Sequence, residues 1–307
     1  MIKVLSVNIS EKKGTVKVAR QEIMLMENGV EGDAHAGPWN RMVSLLGVES
    51  VRRFEEKAGR KIQFGEFAEN ITTEGLELFK THPLDRFEFG DVLLEVTQIG
   101  KSCHGDNCAI YREVGNCVMP KEGIFCRVLK GGRLRPGQEG VYLPRVFRAM
   151  VITLSDRASQ GVYEDRSGPL VRTHLERMFA EKGLPCEISN QIIPDEAGSL
   201  TKLLSEAIKD YDFIFTTGGT GIGPRDITPE TVRPFIDKEI PGLMEMIRVK
   251  YGMQKPNALL SRGIAGLAGN CFVFTLPGSV KAVEEYMTEI APALMHMVYM
   301  RYMIEAH

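Results

Sequence analysis

The sequence predicts two domains of different fold class: a mostly β, barrel-like domain over residues 1–145 and an α/β domain over residues 146–307. The second domain is predicted to be doubly wound around a mostly parallel sheet. A chain of 307 residues is too long for one ordinary core. Strand-length apolar runs alternate with amphipathic helical windows only in the second half, and the two patterns meet near LPRVFR (143–148).

In the first half, short strand candidates are separated by Gly-rich turns, which is typical of a mostly β domain. The clearest helix there is VESVRRFEEKAGRK (48–61). The strand candidates are IKVLSVN (2–8), GTVKVA (14–19), RMVSLL (41–46), DVLLEVTQIG (91–100) and QEGVYL (138–143). This pattern favours a barrel with one or two helices.

In the second half, helical windows over 168–183 and 199–211 place their apolar residues on one face. Strand-helix alternation of this kind indicates crossover units, which produce a parallel sheet with helices on both faces. The predicted strands are RAMVITL (148–154), EISNQII (187–193), DFIFTT (212–217) and CFVFTLPG (271–278).

Composition names no macromolecular partner. The formal net charge is -2 and the Lys and Arg residues are scattered, so no nucleic-acid groove or membrane surface is predicted. No apolar run reaches membrane-spanning length, and the N-terminus lacks the pattern of a signal peptide. Six cysteines without an export signal indicate reduced thiols, and hence a cytoplasmic protein.

The segment TTGGTGIGPRD (216–226) directly follows a predicted strand, at the sheet edge where parallel sheets bind ligands. Its glycines allow successive backbone N–H groups to form a concave anion site. Thr228 is predicted to cap the helix that follows, with Pro229 at its first position. The alternative is a tight strand-to-helix turn, since the segment matches neither G-x-x-x-x-G-K-[ST] nor G-x-G-x-x-G.

Two carboxylates are predicted at the same edge. Asp226 ends the glycine segment, and Asp195 in IIPDE follows another strand. Carboxylates beside a phosphate site repel the phosphate unless a hard cation bridges them, and Mg²⁺ suits that role. The local chemistry therefore indicates phosphoryl or nucleotidyl transfer, although a lone Asp such as Asp226 is also a common turn residue.

Six motifs of the second half, in order, resemble those of the MogA/MoaB family of molybdenum-cofactor biosynthesis. The resemblance implies a domain that binds molybdopterin. In the adenylyltransferase members, that domain joins the terminal phosphate of the pterin to AMP from ATP with Mg²⁺, releasing pyrophosphate. The motifs are SDRASQGVYEDRSGP (155–169), IIPDE (192–196), TTGGTGIGPRDITPE (216–230), IPGLMEMIR (240–248), LLSRGIAG (259–266) and LPGSVKAV (276–283).

Carried over motif by motif, the resemblance makes Asp195 and Asp226 the catalytic carboxylates and the Mg²⁺ ligands. It also implies a homo-oligomer, a trimer or a multiple of one. The chain departs from the family at Ser279 and Val280, where Asn-Pro is usual, and this affects contacts on the pterin side. The implied substrate-binding residues are Ser155, Asp156, Arg157, Thr217, Gly218, Gly219, Thr220, Gly221, Gly223, Ser261, Pro277 and Gly278.

Four cysteines fall within residues 103–126. Cys117 and Cys126 have apolar neighbours and are predicted to be buried thiols. Cys103 and Cys108 have polar neighbours, a setting in which a thiolate is exposed and reactive. A zinc or iron-sulfur site is the alternative, but the C-x-x-C spacing of such sites is missing.

The first half resembles the MOSC domain of molybdenum-cofactor sulfurases. The resemblance implies a β-barrel-like fold, with Asp33, His35, Glu69 and Asn70 lining one cleft. It also implies that the Cys103 thiol binds or transfers sulfur as a persulfide, or ligates molybdenum. The matching segments are GVEGDAHAG (29–37), RMVSLL (41–46), FGEFAENITTEG (64–75), the strand leading to Cys103, and GIFCRVLKGGRLRPGQEGVYL (123–143).

Three functions remain open from the sequence. The first is an enzyme that adenylylates molybdopterin in its second domain while its first domain handles sulfur or finished cofactor. The second is a carrier that holds the pterin without turnover. The third is an adaptor that delivers cofactor to apo-molybdoenzymes. A sulfur donor is an expected partner only for the first.

Overall fold

The computed structural model describes residues 1–102 and 117–304, which divide into two compact units. The first unit holds Met1–Arg145 together with residues 302–304. Tyr302 and Met303 join it through their backbone carbonyls, which accept hydrogen bonds from Arg127 Nη1 at 3.0 Å and Asn40 Nδ2 at 2.6 Å. The second unit holds Val146–Arg301.

The first unit is built mainly of strands. Its strands are β1 (Ile2–Ile9), β2 (Val18–Arg20), β3 (Ile23–Met26), β4 (Gly29–Val30), β5 (Val43–Gly47), β6 (Ile71–Glu74), β7 (Arg86–Phe89), β8 (Val92–Ile99), β9 (Ile124–Lys130), β10 (Gly132–Leu134) and β11 (Glu139–Leu143). Its helices within the described ranges are α1 (Val48–Ala58) and α2 (Met119–Glu122).

Seven of these strands form a closed barrel, as predicted. Their order is β11-β7-β8-β9-β5-β6-β1, and β1 returns to pair with β11 through Ile2 opposite Gly140. Side chains alternate along β1, with Ile2 and Val4 buried and Lys3 exposed, because successive residues of a strand face opposite sides. The apolar interior side chains fill the barrel rather than leaving a channel.

The strand prediction over 14–19 is wrong for most of its length. Strand β2 covers only Val18–Arg20, and Lys17 lies buried in the preceding loop. The apolar-polar alternation of GTVKVA suits a strand, but the Lys17 side chain is directed inward to a buried carboxylate. Tertiary pairing therefore overrides the local pattern here.

The second unit alternates strands and helices. Its strands are β12 (Phe147–Leu154), β13 (Cys186–Ile193), β14 (Phe213–Thr217), β15 (Lys238–Glu239), β16 (Ala265–Ala268) and β17 (Cys271–Leu276). Its helices are α3 (Asp156–Ser159), α4 (Ser167–Glu181), α5 (Ala197–Asp210), α6 (Thr228–Val232), α7 (Pro241–Gly252), α8 (Val280–Ile290) and α9 (Leu294–Arg301). Among the helices of both described units, none is long and apolar enough to cross a bilayer.

The sheet of the second unit is mostly parallel, as predicted. Its order is β13-β12-β14-β17-β16-β15; the first four strands are parallel, and β16 is antiparallel to both of its neighbours, β17 and β15. The chain leaves β12 for β13 on one side and then returns to β14 on the other. This reversal of strand order places loops from β12, β13 and β14 side by side, which is where such sheets bind ligands.

Helices cover both faces of this sheet, which confirms the doubly wound prediction. On one face, Ile152 belongs to a core that includes Leu200 and Leu204 of α5. On the other face, Phe179 of α4 lies 5.4 Å from the ring of Phe147 and 5.9 Å from that of Phe213. Because both faces are buried, the central strands β12, β14 and β17 are mostly apolar rather than alternating.

Closure of the barrel requires glycine at position 140. A Cβ there would lie 2.3 Å from Phe89 Cδ1 and 2.7 Å from the carbonyl oxygen of Glu88. We therefore expect Gly140→Ala to lower the free energy of unfolding of the first unit by about 2 kcal/mol, since overpacked sites lose about 1–3 kcal/mol. Urea unfolding followed by circular dichroism measures this change.

Gly37→Ala is the matched control, because the nearest atom to its added Cβ is Trp39 Cδ1 at an ordinary 3.6 Å. Equal unfolding midpoints for Gly140→Ala and the wild type would contradict tight packing where β1, β11 and β7 meet.

Candidate functional site

Loops from the parallel strands meet at one edge of the second unit's sheet. Ser155 follows β12, Asp195 follows β13 by two residues, and Gly218 follows β14 directly. After β17 comes Pro277-Gly278, and a Cβ on Gly278 would lie 3.2 Å from the Cα of Gly218. The structure therefore brings the predicted motifs together at the predicted edge.

Two left-handed glycines shape the loop after β14. Gly218 has φ +103° and Gly219 has φ +62°, conformations that side chains disfavour. A Cβ on Gly218 would lie 2.3 Å from the carbonyl oxygen of Leu154, and one on Gly219 would lie 2.5 Å from Thr228 Oγ1. The loop thus passes against the end of β12 with no room for side chains.

The predicted capping role of Thr228 is wrong. Helix α6 begins at Thr228 itself, has no side-chain cap and is only five residues long. The Thr228 hydroxyl instead donates to the Gly218 carbonyl at 2.9 Å, and its amide donates to the Gly219 carbonyl at 3.0 Å. Thr228 therefore fixes the conformation of the glycine loop, because its hydroxyl donates to a loop carbonyl instead of accepting a helix N–H.

Three carbonyl groups of the glycine segment, those of Thr220, Gly221 and Asp226, face Arg262. The Arg262 amide donates to Thr220 O at 2.9 Å, its Nε donates to Gly221 O at 2.7 Å, and its Nη2 donates to Asp226 O at 2.9 Å. In contrast, none of the amide groups of residues 219–222 has a hydrogen-bond acceptor in the described parts of the chain. Unpaired N–H groups in a turn are what an anion requires.

The hydroxyl groups predicted to contact substrate have different surroundings. Thr220 Oγ1 lies 3.4 Å from Ser261 Oγ, which joins two of the predicted motifs. Thr217 Oγ1 is buried and has no hydrogen-bond partner within residues 1–102 and 117–304. Ser155 caps α3 by accepting the Ala158 amide at 3.2 Å, so its hydroxyl holds local structure at the site.

Asp156 and Asp195 bind each other through reciprocal hydrogen bonds. Each carboxylate accepts the backbone amide of the other residue at 3.0 Å, which fixes the loops after β12 and β13 in register. Arg225, in the glycine segment, adds a two-pronged ion pair to Asp156, with its Nε 3.1 Å and its Nη2 2.6 Å from the carboxylate oxygens. Three loops are therefore connected through Asp156.

The two paired aspartates have opposite electrostatic environments. Burial raises the pKa of Asp195, and the charges of Asp156 and Asp226 act in the same direction against the amide of Asp156 and Arg225. The Arg225 guanidinium and the Asp195 amide lower the pKa of Asp156. Asp195 therefore carries a charge that its surroundings disfavour, and a bound cation would stabilise that charge.

Asp226 has a structural contact in addition to its predicted role. Its Oδ2 accepts the Gly223 amide at 2.7 Å, and its own amide donates to Gly223 O at 3.0 Å. A Cβ on Gly221 would lie 2.6 Å from the same oxygen, so the carboxylate lies directly over the loop. The turn interpretation of Asp226 is thus correct, and one carboxylate oxygen is left for a further partner.

The carboxylates at this edge do not form a complete protein cage for a metal. In the two described ranges, no group of three or more His, Cys, Asp or Glu side chains is placed to hold an ion. Mg²⁺ commonly uses one or two carboxylates and takes its remaining ligands from water and substrate phosphates. The donor set of Asp195 and Asp226 fits that mode of binding.

A groove of about 350 Å³ lies beside the glycine loop. Ser261 and Arg262 line it, together with Arg248, whose Nη1 donates to Gly263 O at 3.0 Å. Its volume lies within the range of about 300–1,000 Å³ found for small-ligand sites. Arg157 lies elsewhere, exposed on α3, with its guanidinium 5.5 Å from the ring centre of Tyr163.

In the first unit, Cys103 and Cys108 lie outside the described residues. Cys126 is buried as predicted, and burial raises the pKa of its thiol, so this thiol is unreactive. Cys117 is partly exposed.

The MOSC motif residues form a buried polar cluster. Lys17 Nζ lies 2.6 and 2.5 Å from the two carboxylate oxygens of Asp33, and 3.4 Å from Nδ1 of His35. Burial lowers the pKa of Lys17, although Asp33 opposes that effect. Glu69 is fully buried, which raises its pKa, and its Oε2 lacks a partner in the described structure. Asn70 binds Ser44 in the same cluster.

Four residues that sequence reasoning did not assign to these sites are important there. Arg225 and Arg262 lie within the motifs of the second half, directly beside Asp226 and Ser261. This position in the sequence could have identified them as site residues. Thr228 was assigned a different role. Lys17 carried no signal, because its partner Asp33 is 16 residues away.

Two protein families match the chain. Residues 150–296 match the family described as "Probable molybdopterin binding domain", and residues 32–140 match the MOSC domain. The chain is similar to gephyrin of Dictyostelium discoideum, with 37% identity over 158 residues, 48% of this chain and 21% of gephyrin. It is similar to molybdopterin adenylyltransferase of Helicobacter pylori, with 37% identity over 150 residues, 48% of this chain and 84% of that protein.

Among solved structures, the chain is similar to the tungsten cofactor synthesizing protein MoaB from Pyrococcus furiosus. The two are 36% identical with a TM-score of 0.46, over 52% of this chain and 98% of that one.

In this chain, a region that matches the MOSC domain precedes one that matches the probable molybdopterin binding domain. The chain belongs to the family of the probable molybdopterin binding domain, since it covers 84% of a relative with which it shares 37% identity. Both predicted resemblances are therefore confirmed. The chain spans only 21% of the length of gephyrin.

The raised pKa of Asp195 predicts that the stability of the folded protein depends on pH. Where folding raises the pKa of an acid, the folded protein binds more protons than the unfolded chain, so its stability falls as the pH rises above the ordinary value of 3.8. Asp195→Asn removes this charge but keeps an acceptor for the Asp156 amide. In metal-free buffer, we expect the variant to gain about 2 °C or more in Tm over the wild type at pH 7, and less at pH 3.

Asp210→Asn, at the exposed end of α5, is the control and should show the same small difference at both pH values. A Tm difference for Asp195→Asn that is equal at pH 3 and pH 7 would contradict the electrostatic account.

Proposed function

We propose that the protein acts in molybdenum-cofactor biosynthesis as a molybdopterin adenylyltransferase, using ATP as the nucleotide donor. The observation that carries this proposal is the placement of Asp226 against the loop with the unpaired amides of residues 219–222, within electrostatic range of Asp195. An anion site next to carboxylates suits a phosphate-metal substrate. The 37% identity to the Helicobacter pylori molybdopterin adenylyltransferase supports the same activity.

The glycine loop would bind the triphosphate of ATP. Its unpaired amides would donate to phosphate oxygens, with Gly218 and Gly219 keeping the approach clear of side chains. Asp195 and Asp226 would hold Mg²⁺, which would neutralise charge on the phosphates. Asp156 would hold Asp195 in place through their reciprocal hydrogen bonds.

The groove beside Ser261 would bind molybdopterin. Arg248 provides positive charge for its phosphate, and Ser261 provides a hydroxyl next to Thr220. The groove adjoins the glycine loop through Arg262, so the two substrates would meet at the sheet edge. Pro277-Gly278 lies on the Gly218 side of the same loop.

In the reaction, an oxygen of the pterin phosphate would attack the α-phosphorus of ATP. A new phosphorus-oxygen bond forms, the bond from the α-phosphorus to the β-phosphate oxygen breaks, and pyrophosphate leaves with its electron pair. The chain's own contribution is to align the two phosphates and to donate N–H groups to the charge that develops on the oxygens. No side chain needs to act as a nucleophile.

The first unit would handle sulfur or the finished cofactor through Cys103. A persulfide sulfur or molybdenum on this thiol fits the family, with a sulfur donor or an apo-molybdoenzyme as the partner. We also propose a cytoplasmic homo-oligomer, as the family resemblance implies. Apolar side chains exposed along α7, Met246, Val249 and Met253, support self-association.

The first test follows pyrophosphate release from ATP with purified molybdopterin and Mg²⁺. Asp226→Asn keeps an acceptor for the Gly223 amide but loses its charge, so we expect turnover to fall at least about a hundredfold while pterin binding persists. Asp210→Asn, on the exposed end of α5, should retain wild-type turnover. A wild type that binds pterin and releases no pyrophosphate would instead be a carrier of the cofactor.

A separate test addresses Cys103. After incubation with a polysulfide donor, intact-mass spectrometry should show one added sulfur that a reductant removes, and Cys103→Ala should lose this addition. Cys108→Ala serves as the matched control and should keep it. If Cys103→Ala gains sulfur as the wild type does, or if a complex with an apo-molybdoenzyme works equally well without this thiol, the adaptor function replaces sulfur transfer.

A further inference from the structure

Arg262 binds the glycine segment through three hydrogen bonds. The Arg262 Nε donates to the carbonyl of Gly221, and its Nη2 donates to that of Asp226. Its backbone amide donates to the carbonyl of Thr220. Its Nη1 forms an ion pair with Glu230 of α6. The guanidinium is thus engaged on every nitrogen, and one side chain connects the loop, the end of the segment and the following helix.

These contacts determine which way the loop amides point. In a trans peptide the C=O and the N–H lie in one plane and point in opposite directions. Because the carbonyls of Thr220 and Gly221 point to Arg262, the amides of Gly221 and Ile222 in the same peptide planes point away from it. Neither amide has an acceptor in the part of the chain that the structure describes.

We propose that Arg262 is a positioning residue that orients the amides of the glycine loop toward a phosphate group. Hydrogen bonds from a charged donor are stronger than neutral ones, so the guanidinium holds the carbonyls of Gly221 and Asp226 before any ligand arrives, while the Arg262 backbone amide holds that of Thr220. Preorganised donors avoid the free-energy cost of reorientation when the anion binds. This inference rests on the proposed nucleotide site.

Arg262 acts indirectly in this proposal. Glu230 and the two carbonyl oxygens already occupy its guanidinium nitrogens, so it donates to protein groups rather than to the phosphate. The glycines permit the loop conformation, and Arg262 selects one orientation of its peptides. Arginine suits this role because its planar fork addresses several acceptors at once, which a lysine ammonium does with less fixed geometry.

The test compares Arg262→Met, Arg262→Lys and Glu230→Gln in the full chain. Arg262→Met keeps the apolar stem but loses both side-chain bonds to carbonyls, so we expect the Kd for Mg·ATP and for inorganic pyrophosphate to rise about tenfold or more. Arg262→Lys should recover part of this loss. Glu230→Gln removes only the ion-pair partner and should stay within about threefold of the wild type.

Hydrogen exchange gives a readout that does not depend on turnover. With saturating inorganic pyrophosphate, the amides of residues 219–222 should gain protection in the wild type and gain less in Arg262→Met, while those of β14 keep their wild-type rates. In steady-state kinetics, the KM for ATP should rise more than kcat falls. If Arg262→Met fails to fold, the partial loss in Arg262→Lys decides the question.

The outcomes separate the two proposals. A wild type that binds neither Mg·ATP nor pyrophosphate overturns the nucleotide site, and with it the phosphate role of the loop. A wild type that binds both, with Arg262→Met equally tight and equally protected from exchange, overturns the role of Arg262 alone. A loss in Glu230→Gln as large as that in Arg262→Met also overturns it, since the ion pair would then be the cause.

Discussion

The close approach of backbone to backbone at Gly218 is the constraint on which the candidate site depends. A Cβ on Gly218 would lie 2.3 Å from the Leu154 carbonyl oxygen, which excludes a side chain there, and a Cβ on Gly278 would lie 3.2 Å from the Gly218 Cα, which is a tight contact. Loops from β12, β14 and β17 can therefore lie in direct contact. Because the loops are this close, carboxylates and amides from separate motifs act on the same small volume.

Much of this arrangement could be predicted from the sequence, since it follows from general rules for parallel sheets. Asp195 and Asp226 follow apolar runs of strand length, and the carboxyl ends of parallel strands lie at one edge. The glycines after β14 indicate a loop in the sequence itself, because glycine has no side chain to pack in a core. The barrel is harder to predict from the sequence, because its strands are short and its closure pairs Ile2 with Gly140, far apart in the chain.

The remaining features depend on which acceptors a long side chain meets after folding. Arg225 reaches Asp156, and Arg262 reaches carbonyls 36 and 41 residues away, so sequence spacing gives no indication of either pairing. Thr228 shows the same limit on a smaller scale. Its sequence context indicates a cap, but the Gly218 carbonyl lies within 2.9 Å and takes its hydroxyl. Buried Lys17 likewise depends on a carboxylate that only the fold supplies.

Strand β13 has a consequence for how the protein stays dispersed in solution. Within the described residues it pairs only with β12, so its outer edge has no strand partner along eight residues. None of its side chains is fully buried, and Glu187, Asn190 and Gln191 keep the exposed border hydrated. Border strands of this length are templates for intermolecular β-pairing. Polar side chains on β13 therefore oppose aggregation of the second unit at this edge. Substitutions that make β13 more apolar are expected to promote intermolecular pairing.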